Sequence, residues 1–224
     1  MTAITETAEK PIFLPSATFH PVLRLIARFI SVVFHPLFIP VYISGFLLYY
    51  TTAFPGFSAG EKGLLLLRFG VMYTVFPLLT ILIAKGLGFV ESIYLRTQKD
   101  RIIPYIACGL YYFWMWYVLH NQPQFPRTLV VLTLGIFLSS SIGLILNSYL
   151  KISMHALSMG VLITFIYLLS FHTDASFGPY ISGALLIAGV VCSARLINSD
   201  HHPKEVWLGL AMGIFAQLIA YWFL

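Results

Sequence analysis

Residues 152–194 read ISMHALSMGVLITFIYLLSFHTDASFGPYISGALLIAGVVCSA, and Asp174 is their one charged residue. A membrane-spanning helix needs ~20 consecutive, mainly apolar residues. This stretch holds two such runs, separated by the turn TDASFGP at 173–179. Within each run the apolar character is continuous. Strands of a transmembrane barrel would alternate apolar and polar residues over short segments, so the reading is helical. Residues 206–224 carry no charge and add a further span, opened by Pro203 at a first helical turn.

Towards the N-terminus the same pattern predicts spans over about residues 64–90, 104–120 and 127–149. Arg68 and Lys85 fall near the two ends of the first of these, and Pro104 starts the second. Residues 21–34 place Arg24 and Arg28 four apart on one face with Leu, Ile and Phe opposite, which suits an interfacial amphipathic helix. A first span then continues to about Phe54, with Pro36 and Pro40 predicting a kink or break. Residues 1–20 form a polar N-terminal arm without the short apolar core of a cleavable signal peptide. The expected fold is all-α: a polytopic transmembrane helical bundle of six or seven spans, with 21–224 as a single membrane-embedded domain.

Composition agrees. Hydrophobic residues make up 59% of the chain and charged residues 9%, against roughly 25% charged in soluble domains. Mean hydropathy is +0.87. Lys and Arg outnumber Asp and Glu by 13 to 8. No aromatic-interleaved basic face lies outside the spans, so nucleic acid is excluded as a partner and anionic lipid or a phosphate-bearing substrate is expected. Cys108 and Cys192 lie inside apolar runs and read as small core residues.

The remaining charge collects in three islands: Glu91–Arg101, Lys151–His155 and Arg195–Glu205. Two spans separate each island from the next, which puts all three on one membrane face. Ionisable groups are costly beside a bilayer, so their concentration there points to a site. His20, His35, His120 and His172 fall at span edges and read as structural.

The spacing of the third island, Ala194-Arg195, then His201, then Glu205, resembles the third signature of the superfamily of type 2 phosphatidic acid phosphatases and vanadium haloperoxidases: Ser-Arg, five residues, His, three residues, Asp. Ile152-Ser153-Met154-His155 is similar to the family's Pro-Ser-Gly-His, keeping Ser and His. In the first motif Arg96 falls on the Lys position and Pro104 on the proline, while Ile103 replaces the Arg; Lys99 and Arg101 lie close by. The likeness covers about residues 91–210.

The resemblance implies a bundle core like that of those phosphatases and a hydrolase acting on a phosphate monoester or diphosphate of a lipid, without cofactor or metal. It casts His201 as nucleophile forming a phosphohistidine, Glu205 as holder of the imidazole tautomer, and His155 as general acid. Arg195, Lys99, Arg101, Arg96 and Ser153 become phosphate ligands, with Lys151 as a replacement contact. The setting expected is a bacterial inner membrane; which side carries the site stays open, because the positive charges that would fix topology are the proposed ligands. An alternative is a degenerate member that binds phosphorylated lipid without turnover, motivated by Met154 and Ile103. A metal enzyme built on Asp200, His201, His202 and Glu205 lacks an HExxH pattern, and a transporter lacks charge midway along a span.

Overall fold

The computed structural model describes residues 19–92, 95, 97–172, 176–198 and 201–224. Among these residues the chain is an all-α bundle, and six helical segments are long and apolar enough to cross a membrane: Ala59–Gly86, Gln98–His120, Arg127–Asn147, Met154–His172, Gly178–Ile197 and Pro203–Phe223. The protein is therefore a multi-pass membrane protein. Of the polar arm expected at 1–20, residues 1–18 lie outside the described set.

The first expected span is two short helices. Helix α1 (Pro21–Val33) opens with Pro21 after the N-cap His20, whose side chain accepts the Val22 N–H. It stops at Phe34, and α2 (Ile39–Tyr50) restarts with Pro40 in its first turn. Proline lacks an N–H and cannot continue a helix, so Pro36 and Pro40 break the segment rather than kink it. At 12 residues and about 1.5 Å per residue, α2 is roughly 18 Å long, short of the ~30 Å hydrocarbon core.

Helix α3 (Ala59–Gly70) starts earlier than the hydropathy predicts, because Ser58 and Glu61 cap it reciprocally. A π-helical turn (Val71–Val75) joins it to α4 (Phe76–Gly86). The resulting 28-residue rod is about 42 Å long, so its first turns project beyond the hydrocarbon and Arg68 comes near its edge. Helix α5 (Gln98–His120) begins six residues before Pro104, with Thr97 capping the Asp100 N–H at 3.1 Å. Gln98 to Arg101, the end of the first charged island, are thus the opening turn of a helix. Helices α6 (Arg127–Asn147), α7 (Met154–Leu169), α8 (Gly178–Ile197) and α9 (Pro203–Phe223) follow the expected limits.

The centre of the bundle is α6 and α7 with α9 laid against them. Glycines set that contact. A Cβ on Gly160 would run into the Leu210 carbonyl oxygen, one on Gly213 into that of Leu157, and one on Gly209 would lie 2.8 Å from that of Ser153. Backbone therefore meets backbone along α7 and α9, as small residues permit between membrane helices. We predict that Gly160→Val or Gly213→Val lowers stability by about 1–3 kcal/mol or more through overpacking. Gly183→Ala, where nothing lies within 4 Å, should melt as the wild type does in detergent.

Candidate functional site

The three charged islands are tied together through backbone atoms. At the start of α5, Gln98 Nε2 donates to the Asn147 carbonyl (2.7 Å), and Asn147 Nδ2 donates back to the Gln98 carbonyl (2.8 Å). The buried Arg101 donates from Nε to the Leu95 carbonyl and from Nη1 to the Ile152 carbonyl, both at 2.9 Å. The Ser153 N–H then donates to the Glu205 carbonyl at 3.2 Å. First island is bound to second, and second to third.

Between them lies a cavity of about 680 Å³. Among the described residues Arg28, Arg101, Lys151 and Arg195 bring positive charge to its wall, with His35, His155 and His201 beside them. The N-terminal ends of α5, α7 and α9 converge on the same rim, and helix N-termini favour anions. The polar end of the cavity is therefore rich in positive charge.

His201 has the most constrained geometry. Its Nδ1 lies 2.9 Å from Glu205 Oε2 and 3.0 Å from the Lys151 carbonyl oxygen. Both neighbours are acceptors, so Nδ1 carries the proton and Nε2, across the ring, keeps its lone pair. Glu205 Oε2 also accepts the His202 N–H at 3.2 Å, which fixes the carboxylate at the start of α9. Burial, aided by the guanidinium groups of Arg101 and Arg195, lowers the His201 pKa to about 4 despite the Glu205 hydrogen bond. The lowered pKa favours a neutral imidazole, oriented by Glu205 through this hydrogen bond.

Helix α1 completes the wall. Arg24, Arg28, Ser31 and His35 recur at helical spacing, and Arg28, Ser31 and His35 line the cavity. The Ser31 hydroxyl accepts from Arg195 Nη1 (3.2 Å) and Asn198 Nδ2 (3.4 Å), and its carbonyl oxygen lies 3.0 Å from His155 Nε2. The His35 ring stands edge-on to that of His155 with centroids 5.4 Å apart. His35 Nδ1 accepts the Leu37 N–H at 3.3 Å, which leaves its proton on Nε2. Burial, and then Arg195, lowers the His35 pKa to about 4, so it is a neutral donor.

His35 is therefore not the partnerless edge residue that the sequence suggests: Ser31 and His35 of α1 face the cavity, while Leu25, Phe29 and Val32 are exposed. A 4-3-4 spacing of polar residues from Arg24 to His35 was the available signal. Of the residues singled out from the sequence, His155, His201, Arg101, Lys151 and Arg195 line one cavity, with Glu205 behind His201. Ser153 does not join them: it is fully buried and its hydroxyl caps α7 by accepting the Ala156 N–H. Lys99 is exposed and away from the cavity wall, since the α5 turn that directs Arg101 inward sends its neighbour two residues earlier outward. Arg96 and Asp200 lie outside the described residues.

Compared with known proteins, the chain matches no family model, no curated protein and no solved structure.

His35 and His201 both sit below the ordinary value of 6.5 in the folded protein. The unfolded chain thus binds more protons between about 4 and 6.5, and their contribution to stability is complete above 6.5 and lost as pH falls through about 4. Melting temperature in detergent should fall across that window, and His35→Gln should fall less steeply than the wild type.

Proposed function

We propose that the protein is a lipid phosphatase that hydrolyses a phosphate monoester or diphosphate on a membrane lipid through a phosphohistidine on His201. The observation that carries this reading is the double acceptor at His201 Nδ1, Glu205 at 2.9 Å and the Lys151 carbonyl at 3.0 Å, which holds Nε2 as a nucleophile. A neutral imidazole beside Arg101 and Arg195 suits attack on a phosphoryl group whose charge those guanidiniums bind.

In the first step Nε2 bonds to phosphorus as the bond to the lipid oxygen breaks, and His155, an imidazolium once the anionic phosphate is bound beside it, gives that oxygen a proton and is left neutral. Water then attacks the phosphohistidine, His155 takes up a proton, and phosphate and neutral His201 are released. Arg101 and Arg195 stabilise the pentacoordinate state in both steps, and Lys151 and Arg28 add charge for a diphosphate. Glu205 keeps the proton on Nδ1 throughout. The setting proposed for this activity is a bacterial inner membrane, with a phosphorylated membrane lipid as substrate.

Phosphate release from a panel of lipid phosphates in detergent tests the reading. His201→Ala should reduce release to background with the folded yield unchanged, and His155→Ala should cost about 10²–10⁴-fold, the usual worth of a general acid. Vanadate should inhibit, whereas EDTA should not. Unchanged turnover in His201→Ala would remove the nucleophile, and lipid binding without release in the wild type would leave the non-catalytic binder suggested by Met154, whose side chain also lines the cavity.

A further inference from the structure

The cavity is not only a cluster of positive charge. Its wall changes character with depth, and four segments report the same gradient although one of them runs the opposite way. Along α5 the lining residues are Arg101, Pro104, Tyr105, Cys108 and Tyr112, spaced on one helical face. Along α7 the lining passes from His155 through Ser158 to Val161, and from the α1–α2 break it passes from His35 to Ile43. Helix α6 runs the opposite way, and its order is reversed: Ser139 and Ser140 lie nearer the charges and Ile136 lies deeper. Eleven residues separate Arg101 from Tyr112, which at about 1.5 Å per residue is roughly 16 Å, or half the ~30 Å hydrocarbon thickness.

The deep end is inside the protein. Ile43 is 1% exposed, Val161 3%, Tyr112 6% and Ile136 6%. Tyr112 closes it, packed on Tyr73 with ring centroids 5.0 Å apart, and Tyr73 stacks in turn on Phe69 at 5.6 Å. An apolar limb lined by buried residues and continuous with a cationic head site matches one kind of ligand: an anionic amphiphile with its head at Arg101 and Arg195 and a hydrocarbon chain below. Chain and lipid are equally apolar, so the limb gains little by attraction; it selects by length, because a chain that exceeds the floor must fold back or leave.

We infer that the limb bounded by Ile43, Ile136 and Val161 holds one hydrocarbon chain of the substrate, drawn out of the bilayer, and that Tyr112 sets the longest chain it accepts. The inference deepens the phosphatase reading and shares its head-group site.

Photolabelling tests it without turnover. A single-chain alkyl phosphonate, which the enzyme cannot hydrolyse, carries a photoreactive group on its last carbon and is added to the full chain in lipid nanodiscs. Labelled residues are read by mass spectrometry. Labels should fall on the inner face of α5, at Cys108 and Tyr112, and on Val161. Vanadate should suppress them by competing for the head site. Val161→Phe should lower inner-face labelling about tenfold, the shift produced by roughly 1.4 kcal/mol of overpacking. In a series of increasing chain length, inner labelling should stop at a limit that moves to longer chains in Tyr112→Leu. Labels confined to the outward residues Leu110 and Trp114, 65% and 57% exposed, would overturn the inference, as would a length limit unmoved in Tyr112→Leu. If labelling is internal but the wild type releases no phosphate from any lipid, the chain site stands and the phosphatase reading falls.

Discussion

A buried guanidinium holds the polar end of this bundle in register. Arg101 donates to the Leu95 and Ile152 carbonyls, so one side chain joins the loop before α5 to the segment before α7. In a low-dielectric setting an arginine needs acceptors of fixed geometry, and carbonyls left over at loop ends supply them without bringing a competing negative charge. The same side chain lines the cavity. One residue therefore both ties the backbone together and brings positive charge to the cavity, and Lys151, Ser153 and His201 lie around the Ile152 backbone that Arg101 grips.

Neutrality of His35 and His201 follows from the same crowding. Burial of these two rings disfavours their protonation, and the positive charge gathered near them adds to it. His201 meets the condition for a nucleophile because Glu205 orients it without charging it. A lysine at 201 would bring a cation where a lone pair is needed, and a serine would need a separate base. The arrangement is suited to a reaction whose substrate supplies negative charge and whose enzyme supplies electron pairs and fixed donors.

Much of this was readable in the chain. Continuous apolar runs gave the spans from Arg127 onwards to within a residue or two, because a bilayer imposes a minimum length that short-range propensity cannot override. The even number of spans between islands placed Arg101, Lys151 and His201 at one end. Azimuth was harder. Lys99 and Arg101 are two residues apart, roughly opposite sides of a helix, and only the packing of α5 on α6 decides which faces inward. Ser153 looked like a ligand because its position is fixed by a motif, yet the Ala156 N–H at the start of α7 also required a cap. His35 and Ser31 were missed as site residues because nothing near them in the chain is a partner; their neighbours are His155, Arg195 and Asn198.

That distance along the chain bears on how the protein is made. Ser31 and Arg195 are 164 residues apart, and Ser31 and Asn198 are 167 apart. A ribosome delivers α1 long before α8 exists, so Ser31 gains its Arg195 and Asn198 contacts only after six intervening helices, α2 to α7, have been made. Helix α8 is the element that seats α1. Closure of the cavity wall on the α1 side therefore waits for α8, whatever the earlier helices have done.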